Sequence, residues 1–263
     1  MSAKSVYVGV DVGASRTKVA VLDASKTLVG YAVQKSGTDF TATADQCLAL
    51  SLQMAGVSQS AIAHAISTGY GRKNVSFARD TRTEIGCHAG GCYHYFPLAI
   101  TIIDIGGQDN KVIKLDEAGR RISFRMNRKC AAGTGAFLEE MSARLDIPLE
   151  RMNDLAARST DMVKLGSFCT VFSATEVLEN IRHGKKIEDI VKGVFFSVIR
   201  RVVEMDSLSQ NVVMTGGVVA HNLHLVQMME EHIGRSILVP EKPQLTGAIG
   251  AALYAMNGSN ERE

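Results

Sequence analysis

No run in this chain approaches the roughly 20 consecutive apolar residues of a membrane-spanning helix, which excludes that class of protein. Charge of one sign is missing too. The 29 Lys and Arg balance 27 Asp and Glu to a formal +2, so there is no overall electrostatic case for binding nucleic acid or an anionic membrane surface. Cysteine is scarce and odd in number, at positions 47, 87, 92, 130 and 169, which argues against a disulfide framework and for a reducing compartment. The opening Met1–Lys4 runs directly into Val6–Val10, too short for a signal peptide's apolar core and without a small-residue cleavage site, so a cytoplasmic location is expected. Tryptophan is absent, and neither that nor the eleven methionines says anything of function.

What is present is a repeated pattern. Val6 to Val12 reads as a strand, followed by the turn Gly13-Ala14-Ser15-Arg16-Thr17 and a second strand, Lys18 to Leu22. Ala99 to Ile105 reads likewise, followed by Gly106-Gly107-Gln108-Asp109-Asn110 and Lys111 to Leu115. The two segments match: apolar strand, Asp, apolar residue, Gly, polar turn, Lys, strand. Asp11-Val12-Gly13 against Asp104-Ile105-Gly106 implies an internal duplication, two similar α/β lobes facing each other with a nucleotide between them. A third glycine turn, Thr215-Gly216-Gly217, follows the apolar Val212 to Met214, and Ile237 to Pro240 reads as a last short strand. Helical patterns cover Thr43 to Ala55, Gly135 to Leu145, Ile187 to Met205 and Asn222 to Ile233. The expected division is residues 1–95 for the first lobe, with a small-residue helix at about 246–256 packing back on it, 96–245 for the second, and 257–263 as a flexible tail.

A phosphate chain needs backbone N–H groups that approach closely with no side chain in the way, which Gly13, Gly106, Gly107, Gly216 and Gly217 supply. Asp11 and Asp104 stand at strand ends, where a carboxylate holds Mg2+, usually through its waters. Thr17 and Lys18 add a hydroxyl and a positive charge. The turns match neither the P-loop nor the dinucleotide fingerprint. Gln108 and Asp109, just past the second turn, are where a group orienting the attacking water is expected, since hydrolysis has no phosphoryl acceptor but water.

Two of the cysteines read as sitting at the N-terminal edges of helices. Cys130 lies in Asn127-Arg128-Lys129-Cys130-Ala131-Ala132-Gly133-Thr134-Gly135, and Cys169 in Gly166-Ser167-Phe168-Cys169-Thr170 before Val171 to His183. Helix N-termini lower a thiol's pKa and stabilise an anionic cluster. Two thiols are half the complement of an iron–sulfur cubane, which takes four cysteines.

Asp11 to Lys18, Asp104 to Asp109 and Thr215-Gly216-Gly217-Val218 resemble the first phosphate, second phosphate and adenosine motifs of the sugar kinase, heat-shock chaperone and actin superfamily. Within it, the two cysteine segments resemble the activator ATPases of 2-hydroxyacyl-CoA dehydratases and the ATPase subunits of benzoyl-CoA reductases, a match spanning about residues 5 to 255. The resemblance implies two ribonuclease H-like lobes of the actin-like ATPase fold with a nucleotide cleft. It places ATP or ADP on Gly13, Ala14, Ser15, Arg16, Thr17, Lys18, Gly106, Gly107, Gly133, Thr134, Gly135, Gly216, Gly217 and Val218, with Asp11, Asp104, Gln108 and Asp109 catalytic. It also implies an anaerobic, ATP-driven one-electron donor in which a homodimer shares one 4Fe–4S cluster on Cys130 and Cys169 of each chain. The residues agree: the two cysteines are 39 positions apart (130 to 169), no local chelate, and a twofold axis doubles two thiols to four. A heterodimer with a similar subunit satisfies the same arithmetic.

Ser167, Thr170 or Thr134 are candidates to hydrogen-bond the sulfurs. The helices starting at the cysteines would carry a nucleotide-driven lobe movement to the cluster. The implied acceptor is a 2-hydroxyacyl-CoA dehydratase, a benzoyl-CoA reductase or a double-cubane protein, and the implied donor a ferredoxin or flavodoxin. A small-molecule kinase using Asp104 as base, or an actin-like or chaperone-like switch, leaves both cysteines unexplained. The spacing of Cys87, His88, Cys92 and His94 fits no ordinary zinc series. Cys47 reads as core, and His221 and His224 as a polar helix face. Thr68-Gly69-Tyr70-Gly71-Arg72 reads as a lobe connection. The basic run Arg120, Arg121, Arg125, Arg128 and Lys129 reads as a solvated loop, the functional alternative being a face for an acidic partner or an anionic cluster.

Overall fold

The computed structural model describes residues 5–127, 130–166 and 169–258. Its strands are β1 (Val6–Val12), β2 (Arg16–Leu22), β3 (Leu28–Lys35), β4 (Ile62–Thr68), β5 (Asp80–Thr81), β6 (Ile100–Ile105), β7 (Asn110–Leu115), β8 (Arg121–Asn127) and β9 (Val212–Thr215). Its helices are α1 (Phe40–Ala55), α2 (Glu84–Tyr95), α3 (Gly135–Leu145), α4 (Met152–Arg158), α5 (Thr170–Arg182), α6 (Ile187–Val203), α7 (Gly217–His221), α8 (Leu223–Ile233) and α9 (Thr246–Asn257). Two compact units result. One comprises the chain to residue 99, residues 115–122 and the chain from 244; the other comprises 100–114 and 123–243.

The first unit holds a five-stranded sheet in the order β3-β2-β1-β4-β5, with β2 antiparallel to β1 and β3, and β4 parallel to β1. Strands β1 and β2 carry alternating valines, residues whose branched side chains fit a pleated, buried surface. Helix α1 covers one face with Ala44, Cys47, Leu48 and Leu52. It begins where Asp39 caps the Ala42 N–H and ends on Gly56 in the left-handed conformation. Helix α9 packs on β1 and β4, and α2 packs on α9. Small residues permit this approach: a Cβ on Gly250 would collide with the Cys87 carbonyl, and one on Gly91 with that of Thr246.

The second unit repeats the sheet order as β8-β7-β6-β9, with β9 parallel to β6. Leu238 adds a single parallel bridge to Val213, where a full strand was expected over Ile237–Pro240. The core lies between this sheet and the helices, with Phe137, Leu138 and Met141 of α3, Val177 of α5, and Val194, Phe195 and Val198 of α6 all buried. Much of the expected basic loop is instead edge strand β8. Ile122, Phe124 and Met126 alternate there with Arg121, Ser123 and Arg125, a period-two pattern that charge had masked; charge on an edge also blocks unwanted strand pairing. Arg128 and Lys129 lie outside the described residues, as does all of the expected tail beyond residue 258, while Asn257 belongs to α9. The Thr68–Arg72 segment is internal to the first unit and connects no lobes. No helix among the described residues is long and apolar enough to cross a membrane.

Candidate functional site

In the first unit, the β1–β2 turn closes with the Gly13 N–H donating to the Arg16 carbonyl at 3.0 Å. Ser36 steadies it from β3's end: its hydroxyl donates to the Gly13 carbonyl at 2.6 Å and lies 3.0 Å from Thr17 Oγ1. Ala14 and Arg16 are exposed, Gly13 and Ser15 half-buried, and Thr17 buried. Asp11, 2% exposed at the carboxyl end of β1, faces Lys18 across the hairpin, and the Lys18 ammonium donates to Asp11 Oδ2 at 2.9 Å.

The second unit rebuilds this turn. The Gly106 N–H donates to the Asp109 carbonyl at 2.9 Å, and Asp104 accepts from Lys111 Nζ at 3.2 Å. Lys111 also donates to Asp109 Oδ1 at 2.7 Å, so Asp109 is a counter-ion to a lysine only 2% exposed. Gln108 at the tip is exposed. The third glycine turn meets this one: Gly216, at φ 100°, abuts the Ile105 carbonyl so closely that no Cβ fits, and a Cβ on Gly135 would meet Gly107 Cα at 3.1 Å and Val218 at 3.5 Å. Gly217 opens α7. Gly106, Gly107, Gly135, Gly216 and Val218 therefore gather at the carboxyl ends of β6 and β9, where α/β sheets place their ligands.

The duplication diverges at one atom. Thr215, opposite Asp104 on β9, donates to Asp104 Oδ1 at 2.9 Å. Its counterpart Thr68, opposite Asp11 on β4, turns away and donates to the Arg82 carbonyl at 3.0 Å. Asp11 Oδ1 is left buried without a hydrogen-bond partner. A buried carboxylate oxygen without a partner is costly, and any donor, a cation-bound water among them, would satisfy it. Gly69, at φ 88°, leaves open the space beside that oxygen.

Sequence reasoning passed over two residues here. Lys111 was legible from the repeat, because it follows Asp104 as Lys18 follows Asp11. His88 was not. It is buried, its Nδ1 lies 3.1 Å from Thr246 Oγ1, and its Nε2 and Asp11 Oδ2 both stand about 3 Å from the Cβ position of Gly247. Only tertiary structure joins residues 158 positions apart.

The cysteines divide by environment. Cys47, Cys87 and Cys92 are fully buried, and burial pushes the Cys47 thiol up to about 11, which leaves it unreactive. Cys130 is half-buried and Cys169 exposed. Cys169 is the N-cap of α5, but Cys130 precedes α3 by five residues and is not at a helix edge. The reason is the turn over Ala131–Thr134, where Gly133 takes φ 80° and Thr134 donates through Oγ1 to the Ala131 carbonyl at 2.6 Å. The first N–H groups of α3 are spent on the second phosphate turn: Gly135 donates to the Gly106 carbonyl at 2.9 Å and Ala136 to that of Gly107 at 2.8 Å. Of the three hydroxyls considered for the sulfurs, Thr134's proton is thus committed and Ser167 lies outside the described residues. Thr170 Oγ1 is buried with no hydrogen-bond partner, one residue beyond Cys169.

The activator of lactoyl-CoA dehydratase from Anaerotignum propionicum is 40% identical over 257 residues, covering 97% of this chain and 98% of that protein. The crystal structure of component A of the Acidaminococcus fermentans (R)-2-hydroxyglutaryl-CoA dehydratase superposes with TM-score 0.91 at 37% identity, over 96% of this chain and 98% of its own. The activator of the 2-hydroxyisocaproyl-CoA dehydratase from Clostridium difficile, solved with bound ADPNP, gives TM-score 0.89 at 41% identity, over 96% and 94%. The two-sheet α/β architecture is the actin-like ATPase fold of two ribonuclease H-like units. With residues 8–255 matching the family model, the chain belongs to the BadF/BadG/BcrA/BcrD ATPase family.

Proposed function

We propose that this chain is an ATP-hydrolysing reductive activator of a 2-hydroxyacyl-CoA dehydratase, in which two copies hold one 4Fe–4S cluster with Cys130 and Cys169 of each. The observation that carries this reading is the presence, in one unit, of the only two accessible thiols among the described residues together with a phosphate turn bonded to the helix after Cys130. The residues fit the groups. Asp11 offers its orphaned oxygen to hydrated Mg2+, which neutralises phosphate charge. Cys130 and Cys169 have the access a cluster needs, and Thr170 has a hydroxyl to donate to a sulfur. A cluster bound there would supply storage of one electron at low potential.

The chain's own residues do the rest. Backbone N–H groups of the Gly13 and Gly106 turns take the phosphates, Lys18 balances Asp11, and Gln108 orients the water that cleaves ATP to ADP and phosphate. A second copy is favoured by apolar surface beside Cys169, where Val171 is 71% and Phe172 64% exposed and would be covered by a partner that shares the cluster. Held there, the cluster would take its electron from a ferredoxin- or flavodoxin-type donor and pass it to the dehydratase, in an oxygen-free cytoplasm.

Anaerobic reconstitution tests the reading. A brown protein with four iron atoms per two chains, whose reoxidation by a 2-hydroxyacyl-CoA dehydratase requires ATP, is the expected result. A colourless monomer that transfers the γ-phosphate of ATP to a sugar hydroxyl would instead identify a kinase. In the same assay Gln108→Ala is expected to slow hydrolysis at least about tenfold, the scale of a lost positioning group; an unchanged rate removes Gln108 from the mechanism.

A further inference from the structure

We propose that Asn110 is the positioning residue that carries nucleotide state from the second phosphate turn to the Cys130 segment, an inference that rests on the function proposed above. It occupies the position just before the buried lysine, immediately after Asp109 in the turn. Asn110 is fully buried, its Nδ2 donates to the Gly133 carbonyl at 2.8 Å, and its Oδ1 has no hydrogen-bond partner. The orientation of the amide is unambiguous, since a carbonyl accepts only from the nitrogen.

The duplication shows that this contact is a departure. The equivalent residue of the first unit, one before Lys18, is Thr17, whose hydroxyl stays local and meets Ser36, itself bonded to the Gly13 carbonyl of the same turn. Asn110 reaches 23 residues along the chain instead, into the segment three residues past Cys130. It works in parallel with the two main-chain bonds from Gly135 and Ala136 to the Gly106 and Gly107 carbonyls. The far side of the segment is held by Asn127, whose Nδ2 donates to the Cys130 carbonyl at 3.1 Å.

The backbone from Cys130 to Ala136 is therefore pinned at one end to β8 and at the other to the atoms that would line the γ-phosphate. A shift of the Gly106–Gly107 turn pulls on it through Asn110 and the α3 N–H groups together.

Hydrogen exchange on the cluster-free protein with Mg2+ present tests this without relying on a loaded enzyme. In the wild type, a non-hydrolysable ATP analogue and ADP are expected to protect the amides of residues 131–136 to different extents. In Asn110→Ala that difference should fall by at least about threefold, with exchange up to about tenfold faster in both states, as loss of one buried bond implies. Nucleotide affinity by calorimetry should stay within about threefold of wild type. If Asn110→Ala fails to fold, Asn110→Thr, which restores the first unit's residue at one heavy atom less reach, carries the same expectation. An undiminished nucleotide-dependent difference in the variant, or none in the wild type, overturns the proposal. Midpoint potentials of reconstituted protein with ATP and ADP separate the two readings: a cluster whose potential responds to ATP while exchange at 131–136 does not defeats this inference alone, and a chain that assembles no cluster defeats the proposed function alone.

Discussion

Asp11→Asn is expected to lower the rate of ATP hydrolysis by about 10²- to 10³-fold while leaving the fold intact, the scale on which one preorganised charge acts in phosphoryl transfer. The substitution is nearly isosteric. It removes the charge from the unpartnered Oδ1 and from the Oδ2 that accepts from Lys18 at 2.9 Å. Lys18 retains 16% exposure, so water can relieve it. Asp104→Asn, at the matching position, should behave differently. Lys111 is 2% exposed and stands between Asp104 and Asp109, and weakening a buried pair typically costs about 3–5 kcal/mol. The first variant should therefore melt near wild type and hydrolyse slowly; the second should lose stability first. Denaturant unfolding and steady-state phosphate release distinguish them. Hydrolysis by Asp11→Asn within threefold of wild type would show that its orphaned oxygen is not used.

Cys169→Ser or Cys130→Ser is expected to abolish the reconstituted cluster outright, with iron falling to background and nucleotide affinity unchanged. An alcohol does not ionise at neutral pH as a thiol can, and one thiol per chain leaves a dimer with two of the four ligands a cubane takes. Either variant should stay folded, since neither side chain belongs to the core. Cys47→Ser is the control. It lies fully buried in the α1 core, and replacing it puts a hydroxyl among valines and leucines, so the cost there is stability and not iron. Wild-type iron in either accessible-thiol variant, or loss of nucleotide binding with it, would show that the cysteines serve the fold.

The sequence alone determined whatever is local in the chain. Carboxylate, glycine turn and lysine lie within eight consecutive residues, so Asp11 with Lys18 and Asp104 with Lys111 were set by hairpin register, and the likeness of the two sheets followed from the repeat. Helix α3 began and ended where its periodicity placed it, at Gly135 and Leu145. Cys169 could be put at a helix start because its helix begins at the next residue.

Tertiary structure decided the rest, because the deciding contacts join residues far apart in the chain. Cys130 lost its helix edge because the α3 N–H groups found the carbonyls of Gly106 and Gly107, some 30 positions earlier in the chain, and no local pattern announces that competition. Arg121–Asn127 became a strand because an edge of the second sheet was available to pair it. His88 reached the neighbourhood of Asp11 only because glycines let α2 and α9 cross closely. The two aspartates, identical in motif, were told apart by one hydroxyl: Thr215 completes Asp104, while Thr68 turns to Arg82 and leaves Asp11 with an oxygen to give.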